Sequence, residues 1–101
     1  MTTAQKKDVL ACVRIELMNA KVGRGRTEED GYGGVSLKMP KRVLSERNVA
    51  DALIKAGWVE GEREIAYGGM SGSVALTRQG VTISVSGSPA GCFVVVKGGA
   101  K

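Results

Sequence analysis

The second half of the chain alternates apolar and polar residues with a period of two, and this pattern constrains the fold more than any other feature. From Glu62 onward, four segments separated by glycine-containing links are predicted to be strands: REIAY, SVALT, VTISVS and CFVVVK. The links between them are short and contain glycine, as expected for successive hairpins of an antiparallel meander. In the third segment, one face carries Val81, Ile83 and Val85, and the other carries Thr82, Ser84 and Ser86. We therefore predict a sheet with one buried and one hydrated face.

The N-terminal segment has the pattern of a helix. Thr2 followed by Gln5 resembles a capping box, in which each side chain bonds to the other's backbone amide. Apolar residues then recur at helical spacing, at Val9, Leu10, Val13 and Leu17. The pattern predicts a helix over about residues 4–20 that ends at Gly23 and Gly25.

A second helix has clearer boundaries. Ser45 is suited to cap its N-terminus, and its buried face would consist of Val49, Ala50, Leu53 and Ile54. Gly57 suits the left-handed position after a helix, and Trp58 would then contact Leu53, as in a Schellman ending. We expect Trp58 to belong to the core.

Two amphipathic helices and a one-sided sheet combine most simply into two layers. We therefore predict an α+β domain over residues 1–101, in which two helices pack on one face of an antiparallel meander sheet of four to five strands. The fifth strand would be VSLKM, residues 35–39. Residues 21–34 would form a flexible, glycine-rich connector, and residues 97–101 a loose tail.

The residue inventory argues against catalysis. The chain has no histidine, so the usual general base and most transition-metal sites are missing. Cys12 and Cys92 lie in apolar segments, and we interpret both as small buried residues, although sequence leaves a single bridge open. We expect no enzymatic activity and no cofactor.

The distribution of apolar residues along the sequence bears on the cellular location of the protein. No run reaches the roughly 18 apolar residues that a membrane-spanning helix needs. The N-terminus also has no signal-like apolar block, so we expect a cytoplasmic protein without membrane contact.

The segment KVGRGRTEEDGYGG, residues 21–34, does not match known ligand-binding motifs. Gly23-Arg24-Gly25 lacks the third glycine of a dinucleotide fingerprint and does not follow a strand. The acidic run Glu28-Glu29-Asp30 lacks the alternating ligand order of a calcium loop. We interpret it as a solvated turn that pairs with nearby arginines, and we predict no metal site.

Positive charge clusters in the middle of the chain. Of 15 basic residues, seven lie between residues 21 and 47, against four acidic ones, in a chain of net charge +5. Arginines spaced by glycine can fold onto phosphates, and an aromatic side chain beside them can stack on a base. The candidate binding residues are Lys21, Arg24, Arg26, Tyr32, Lys38, Lys41, Arg42 and Arg47. A mobile, solvated loop without a partner is the alternative.

Residues 44–80 also resemble the end of a winged-helix DNA-binding domain. The resemblance rests on the helix exit Ala56-Gly57-Trp58-Val59-Glu60, a glycine-rich wing tip at residues 68–72, and the closing stretch Leu76-Thr77-Arg78-Gln79-Gly80. It covers little more than a third of the chain, and it implies DNA binding through the helix and the wing.

Two functions follow as hypotheses. The first is a small protein that binds nucleic acid, or a complex handling it, chiefly through electrostatic contacts of a basic arm. The second is a stoichiometric inhibitor or adaptor that binds a protein surface, such as the anti-CRISPR and host-takeover proteins of phages. An acidic protein surface would suit the same cations, and exposed sheet edges would allow a homodimer.

Overall fold

The fold is α+β, with two helices and one antiparallel sheet of six strands, in place of the predicted four or five. It is described from a computed structural model over residues 2–29, 31–32, 34–41, 43, 45–66, 71–88 and 91–99. In chain order the elements are α1 (Thr3–Asn19), β1 (Arg26–Glu29), β2 (Val35–Lys38), α2 (Glu46–Lys55), β3 (Val59–Ala66), β4 (Ser71–Arg78), β5 (Val81–Ser88) and β6 (Gly91–Gly99).

Helix α1 begins with the predicted capping box. The backbone N–H of Gln5 donates to Thr2 Oγ1 at 3.1 Å, and the N–H of Thr2 donates to Gln5 Oε1 at 2.8 Å. The helix ends before the glycines that we expected to stop it. Lys21 takes the left-handed conformation (φ 61°), and the N–H of Val22 donates to the carbonyl of Leu17 at 3.0 Å. A lysine therefore occupies the position that glycine usually takes in a Schellman ending.

Helix α2 confirms both predicted boundaries. Ser45 Oγ accepts a hydrogen bond from the backbone N–H of Arg47 at 3.2 Å. At the other end Gly57 has a φ of 112°, and the N–H of Trp58 donates to the carbonyl of Leu53 at 3.0 Å. The indole of Trp58 is 4% exposed and belongs to the core, as predicted.

The sheet has the strand order β1-β2-β6-β5-β4-β3, so its last four strands form the predicted meander. The two-residue turn between β4 and β5 consists of Gln79 and Gly80, whose φ angles are 52° and 79°. Two positive φ angles are typical of a type I′ hairpin, whose twist matches that of the strands. Beyond β6 the sheet continues into the predicted strand β2 and then into β1.

Strand β1 was not predicted. It lies within residues 21–34, where we expected only a flexible connector, and it pairs with β2 from Arg26↔Lys38 to Glu29↔Val35. Its sequence, RTEE, has no apolar side chain, so its place in the sheet depends on backbone pairing with β2.

One hydrophobic cluster contains the buried residues of both helices and of four strands. Along β5, buried and half-buried residues alternate, which confirms the alternation predicted for this strand, and β6 shows the same pattern from Gly91 to Val96. The cluster comprises Leu10, Val13, Leu17, Val35, Leu37, Met39, Val43, Val49, Ala50, Leu53, Trp58, Val74, Leu76, Ile83, Val85, Cys92, Val94 and Val96.

Two further expectations need correction. β6 continues through Gly99, and Gly98 pairs with Thr82, so residues 97–99 are not a loose tail. Residues 100 and 101 lie outside the described part of the chain. Cys92 is buried, but Cys12 is exposed, because its position on α1 lies outside the buried stripe formed by Leu10, Val13 and Leu17. Both thiols are free.

Within the described residues, neither helix is long and apolar enough to cross a membrane.

Candidate nucleic-acid interface

The glycines of the sequence Gly23-Arg24-Gly25-Arg26 are packing residues. A Cβ added at Gly23 would lie 3.2 Å from a methyl group of Val43, and one added at Gly25 would lie 2.8 Å from Leu37 Cδ1. Both glycines are buried, whereas Arg24 and Arg26 are exposed. Burial therefore alternates along this segment, and the two arginines project to the same side. The arginines are held on a packed backbone that leads into β1.

The register of the sheet places a third cation, Lys38, next to Arg26. Arg26 pairs directly with Lys38 across β1 and β2, and Lys38 pairs directly with Phe93 across β2 and β6. Directly paired residues share a face of the sheet, with Cα atoms about 5 Å apart. The Lys38 ammonium group lies 5.9 Å from the centre of the Phe93 ring. We call Arg24, Arg26 and Lys38 the basic corner, and the sheet face with Lys38 and Phe93 the Phe93 face.

The acidic residues next to the basic corner make two surface ion pairs. Arg26 donates to Glu28 at 3.1 Å, between side chains that are 77% and 40% exposed. Glu29 pairs instead with Lys7 of α1 at 2.8 Å. Exposed pairs of this kind contribute about 0–1 kcal/mol, so the Arg26–Glu28 pair leaves the guanidinium available to a stronger anion. Asp30 lies outside the described residues.

The other candidate residues lie elsewhere. Lys21 follows α1 and lines a groove of about 710 Å³ between the two helices, which Asp51 and Lys55 also line. Arg47 is exposed in the first turn of α2, beside Glu46. The structure therefore does not place Lys21 and Arg47 with the basic corner.

Three candidates remain to be placed. Lys41 is exposed two positions after Met39, and Tyr32 is 95% exposed in the segment between β1 and β2. Arg42 lies outside the described residues.

Sequence reasoning missed Phe93. The segment CFVVVK is apolar at five successive positions, so its pattern does not show which side chains face away from the core. The structure buries Cys92, Val94 and Val96 and leaves Phe93 and Val95 half-buried on the other face. The serines of VTISVS were the available signal, because β5 pairs with β6 and its hydrated side must adjoin Phe93.

The described part of the chain contains no candidate metal-binding site. No group of three or more acidic, cysteine or histidine side chains is close enough there to hold an ion. Glu28 and Glu29 are instead engaged by cations from β1 and α1.

Two polar clusters join elements of the fold and lie apart from the basic corner. Glu16 of α1 accepts from Trp58 Nε1 at 3.0 Å and pairs with Arg78 at 2.8 Å, and that guanidinium stacks 4.4 Å from the indole centre. Arg63 donates to Glu60 at 2.9 Å and to Glu46 at 2.8 Å. Its hydrogen bond to Glu60, followed by that to Glu46, raises the pKa of the Arg63 guanidinium, although burial opposes the shift.

Comparison with known proteins gives no relative. No protein-family model, no curated protein and no solved structure matches this chain. The resemblance of residues 44–80 to winged-helix domains therefore stays a prediction, and the function must be argued from the geometry alone.

Proposed function

We propose that this protein is a non-enzymatic nucleic-acid-binding protein of the cytoplasm and that the basic corner contacts phosphates. The observation that carries the proposal is the direct pairing of Arg26 with Lys38. Like charges directly opposite one another on adjacent strands destabilise a sheet. The exposed pair between Arg26 and Glu28 offsets only part of that repulsion. An anion bound between Arg26 and Lys38 relieves more of it, and Arg24 adds a third positive charge on the same side.

The proposal includes a two-layer arrangement of the domain. In it, α1 and α2 cover the face that carries Leu37 and Ile83, and the Phe93 face remains accessible. The contacts of α1 with β1, β2 and β6, and of α2 with β3, β4 and β5, support this arrangement. Arginine suits phosphate because its planar fork offers several donors at once. The net charge of +5 adds long-range attraction for a polyanion.

The test is a pair of charge-matched double variants. Arg26→Gln with Lys38→Gln removes two positive charges from the basic corner, and Lys21→Gln with Arg47→Gln removes two from the helix ends. Binding of labelled single-stranded and duplex oligonucleotides is followed by fluorescence anisotropy over a series of salt concentrations. The slope of log affinity against log salt is about 0.7 per contacted phosphate for single strands and about 0.9 for duplex DNA.

We expect the corner variant to lose about 1.4 from that slope on single strands, or about 1.8 on duplex, and the helix-end variant to resemble the wild type. A flat salt response of the wild type would overturn nucleic-acid binding. Loss of binding in the helix-end variant alone would overturn the proposed surface, and it would favour the winged-helix interpretation, in which Arg47 of α2 approaches DNA.

A protein-binding inhibitor or adaptor, such as an anti-CRISPR or host-takeover protein, is the second candidate. One observation favours it: Val59 is 66% exposed on β3, which forms an edge of the sheet. An exposed edge strand with an apolar side chain is a site for strand addition by another chain or by a second copy. The test is to purify this protein from its host after nuclease treatment. A defined partner protein that co-purifies at equal stoichiometry with the wild type, but not with Val59→Glu, supports this function. A nuclease-treated protein that sediments as a monomer alone contradicts it.

A further inference from the structure

We propose that the ligand of the Phe93 face is single-stranded nucleic acid, with one base stacked on the Phe93 ring and the neighbouring phosphates held by the basic corner. This inference rests on the proposed function. It adds that the ligand is single-stranded and that the side chain of Phe93 recognises it.

Small polar residues flank Phe93 on the side of β5. In register, the residue opposite Phe93 on β5 is Ser86, and the next residue on the same face is Ser84, opposite Val95. Continuing across the sheet, Ser86 pairs with Ser73 on β4. These short side chains rise less far from the sheet than a phenyl ring does. Among the described side chains of this face, Phe93 is therefore the largest apolar group, and serine hydroxyls flank it on the side of β5.

On the other side of the ring stands the ammonium group of Lys38. Its distance from the ring centre, 5.9 Å, lies near the outer limit of about 6 Å for a cation–π contact, so the contact is weak. A base has a larger stacking surface than an ammonium group. When a base stacks on Phe93, the flexible lysine side chain can turn toward the phosphate of the same nucleotide.

The geometry favours a single strand over a duplex. In a duplex the base faces are already stacked on one another, and only edges and phosphates are accessible. An aromatic ring on an open sheet can stack only on a base that is free of its neighbours. A duplex would contact the basic corner through phosphates and leave Phe93 unused.

The positions of the charged residues also determine the path of the bound nucleic acid across the sheet. Arg26, Lys38 and Phe93 lie in one row over three adjacent strands, a width of about 10 Å between the first and the last. The two cations of this row lie on β1 and β2, so a polyanion follows the row from Phe93 toward β1.

The test compares Phe93→Leu, which keeps an apolar side chain but removes the ring, with Val95→Ala, which trims the apolar neighbour on the same strand and face. The probes are labelled oligo(dT), oligo(U) and a duplex hairpin of matched length. Loss of one stacked base weakens binding by about 5- to 150-fold. We expect this loss for Phe93→Leu on both single strands, little change on the hairpin, and little effect of Val95→Ala on any probe.

A second variant reports on stacking directly. Phe93→Trp keeps a stacking ring and adds a fluorophore to the surface, whereas Trp58, the single tryptophan of the wild type, is 4% exposed. Oligo(dT) should quench the fluorescence of Phe93→Trp and leave that of the wild type nearly unchanged. This measurement remains available if Phe93→Leu fails to fold, as judged by circular dichroism.

The possible results separate the two proposals. Salt-dependent binding that is equal for oligo(dT), oligo(U) and the hairpin, together with no quenching in Phe93→Trp, overturns the inference and leaves the proposed function standing. Absence of salt-dependent binding to every probe overturns both. A preference for oligo(U) over oligo(dT), or the reverse, would identify RNA or DNA as the source of the strand.

Discussion

The substitution Gly25→Ala tests whether residues 23–26 are part of the packed fold or a flexible arm. The new methyl group would lie 2.8 Å from Leu37 Cδ1, 2.9 Å from Leu37 Cγ and 3.1 Å from Met39 Sδ. Contacts below about 3.0 Å require the neighbours to move. Leu37 is 0% exposed and Met39 is 2% exposed, so neither has solvent space into which it can retreat.

The magnitude follows from two opposing terms. Forcing an extra methyl group into a packed core costs about 1–3 kcal/mol. Replacing glycine by alanine also reduces the freedom of the unfolded chain, which stabilises the fold by about 0.4–1 kcal/mol. The net effect is a loss of about 1–2 kcal/mol in the free energy of unfolding. For a domain of this size, that loss lowers the melting temperature by roughly 5–15 °C.

Gly98→Ala is the matched control. It makes the same chemical change, but a Cβ at Gly98 meets no atom within 4 Å. The unfolded-state term is nearly the same in both variants, so the difference between them isolates the packing term of about 1–3 kcal/mol. Thermal and urea unfolding, followed by circular dichroism, measure that difference. If the two variants melt at the same temperature, Gly25 is not packed against Leu37, and residues 21–34 form the flexible connector after all.

Three further predictions concern stability. Lys21→Gly should raise the free energy of unfolding by about 1 kcal/mol, because glycine takes the left-handed conformation without the penalty of a Cβ; Lys21→Ala should not, and equal urea midpoints for the two would contradict the assigned φ of 61°. Glu16→Ala should lower it by about 1–3 kcal/mol, because the part-buried indole N–H of Trp58 loses its acceptor and Arg78 loses its ion pair; an unchanged urea midpoint would refute the role of this cluster. Burial, with a smaller contribution from the charge of Glu46, raises the pKa of the Cys92 thiol above its usual 9.0, so above that pH the unfolded chain releases a proton that the folded chain keeps. Stability should therefore fall as the pH rises above 9.0, and it should fall less steeply in Cys92→Ala; parallel pH profiles of the two proteins would contradict the burial of this thiol.

Local signals made much of the fold predictable. The boundaries of α2 follow from Ser45 and Gly57, each of which acts through hydrogen bonds within a few residues of itself. The β4–β5 hairpin follows from its short glycine-containing turn. In both cases the chemistry that defines the structure lies next to it in the sequence.

β1 was not predictable, because nothing in RTEE marks a buried face. The segment is fixed by pairing with β2 and by the space that Gly23 and Gly25 leave for core side chains. A glycine that packs and a glycine that bends the chain look the same in a sequence. The sequence of residues 21–34 therefore predicts a connector, and only the pairing with β2 shows a strand.

The candidate site was half predictable. The cations of the basic corner were identified individually from charge and glycine spacing. Their grouping depends on the pairing of β1 with β2 and of β2 with β6, which no local pattern encodes. Phe93 was hidden in an apolar run, and only the serines of the neighbouring strand distinguish its outer side.

The place of β6 between β2 and β5 has a consequence for how the molecule assembles. β1 and β2 come early in the chain and β3 to β5 come late, and the sheet is continuous only when β6 docks between the two groups. Pairing between segments so distant in the chain is slow compared with hairpin closure, so we expect this docking step to limit the rate of folding. Arg26 and Lys38 lie on one side of the boundary between β2 and β6, and Phe93 lies on the other. These three residues therefore come together only in the final step, and a partly folded chain lacks the binding surface that they form.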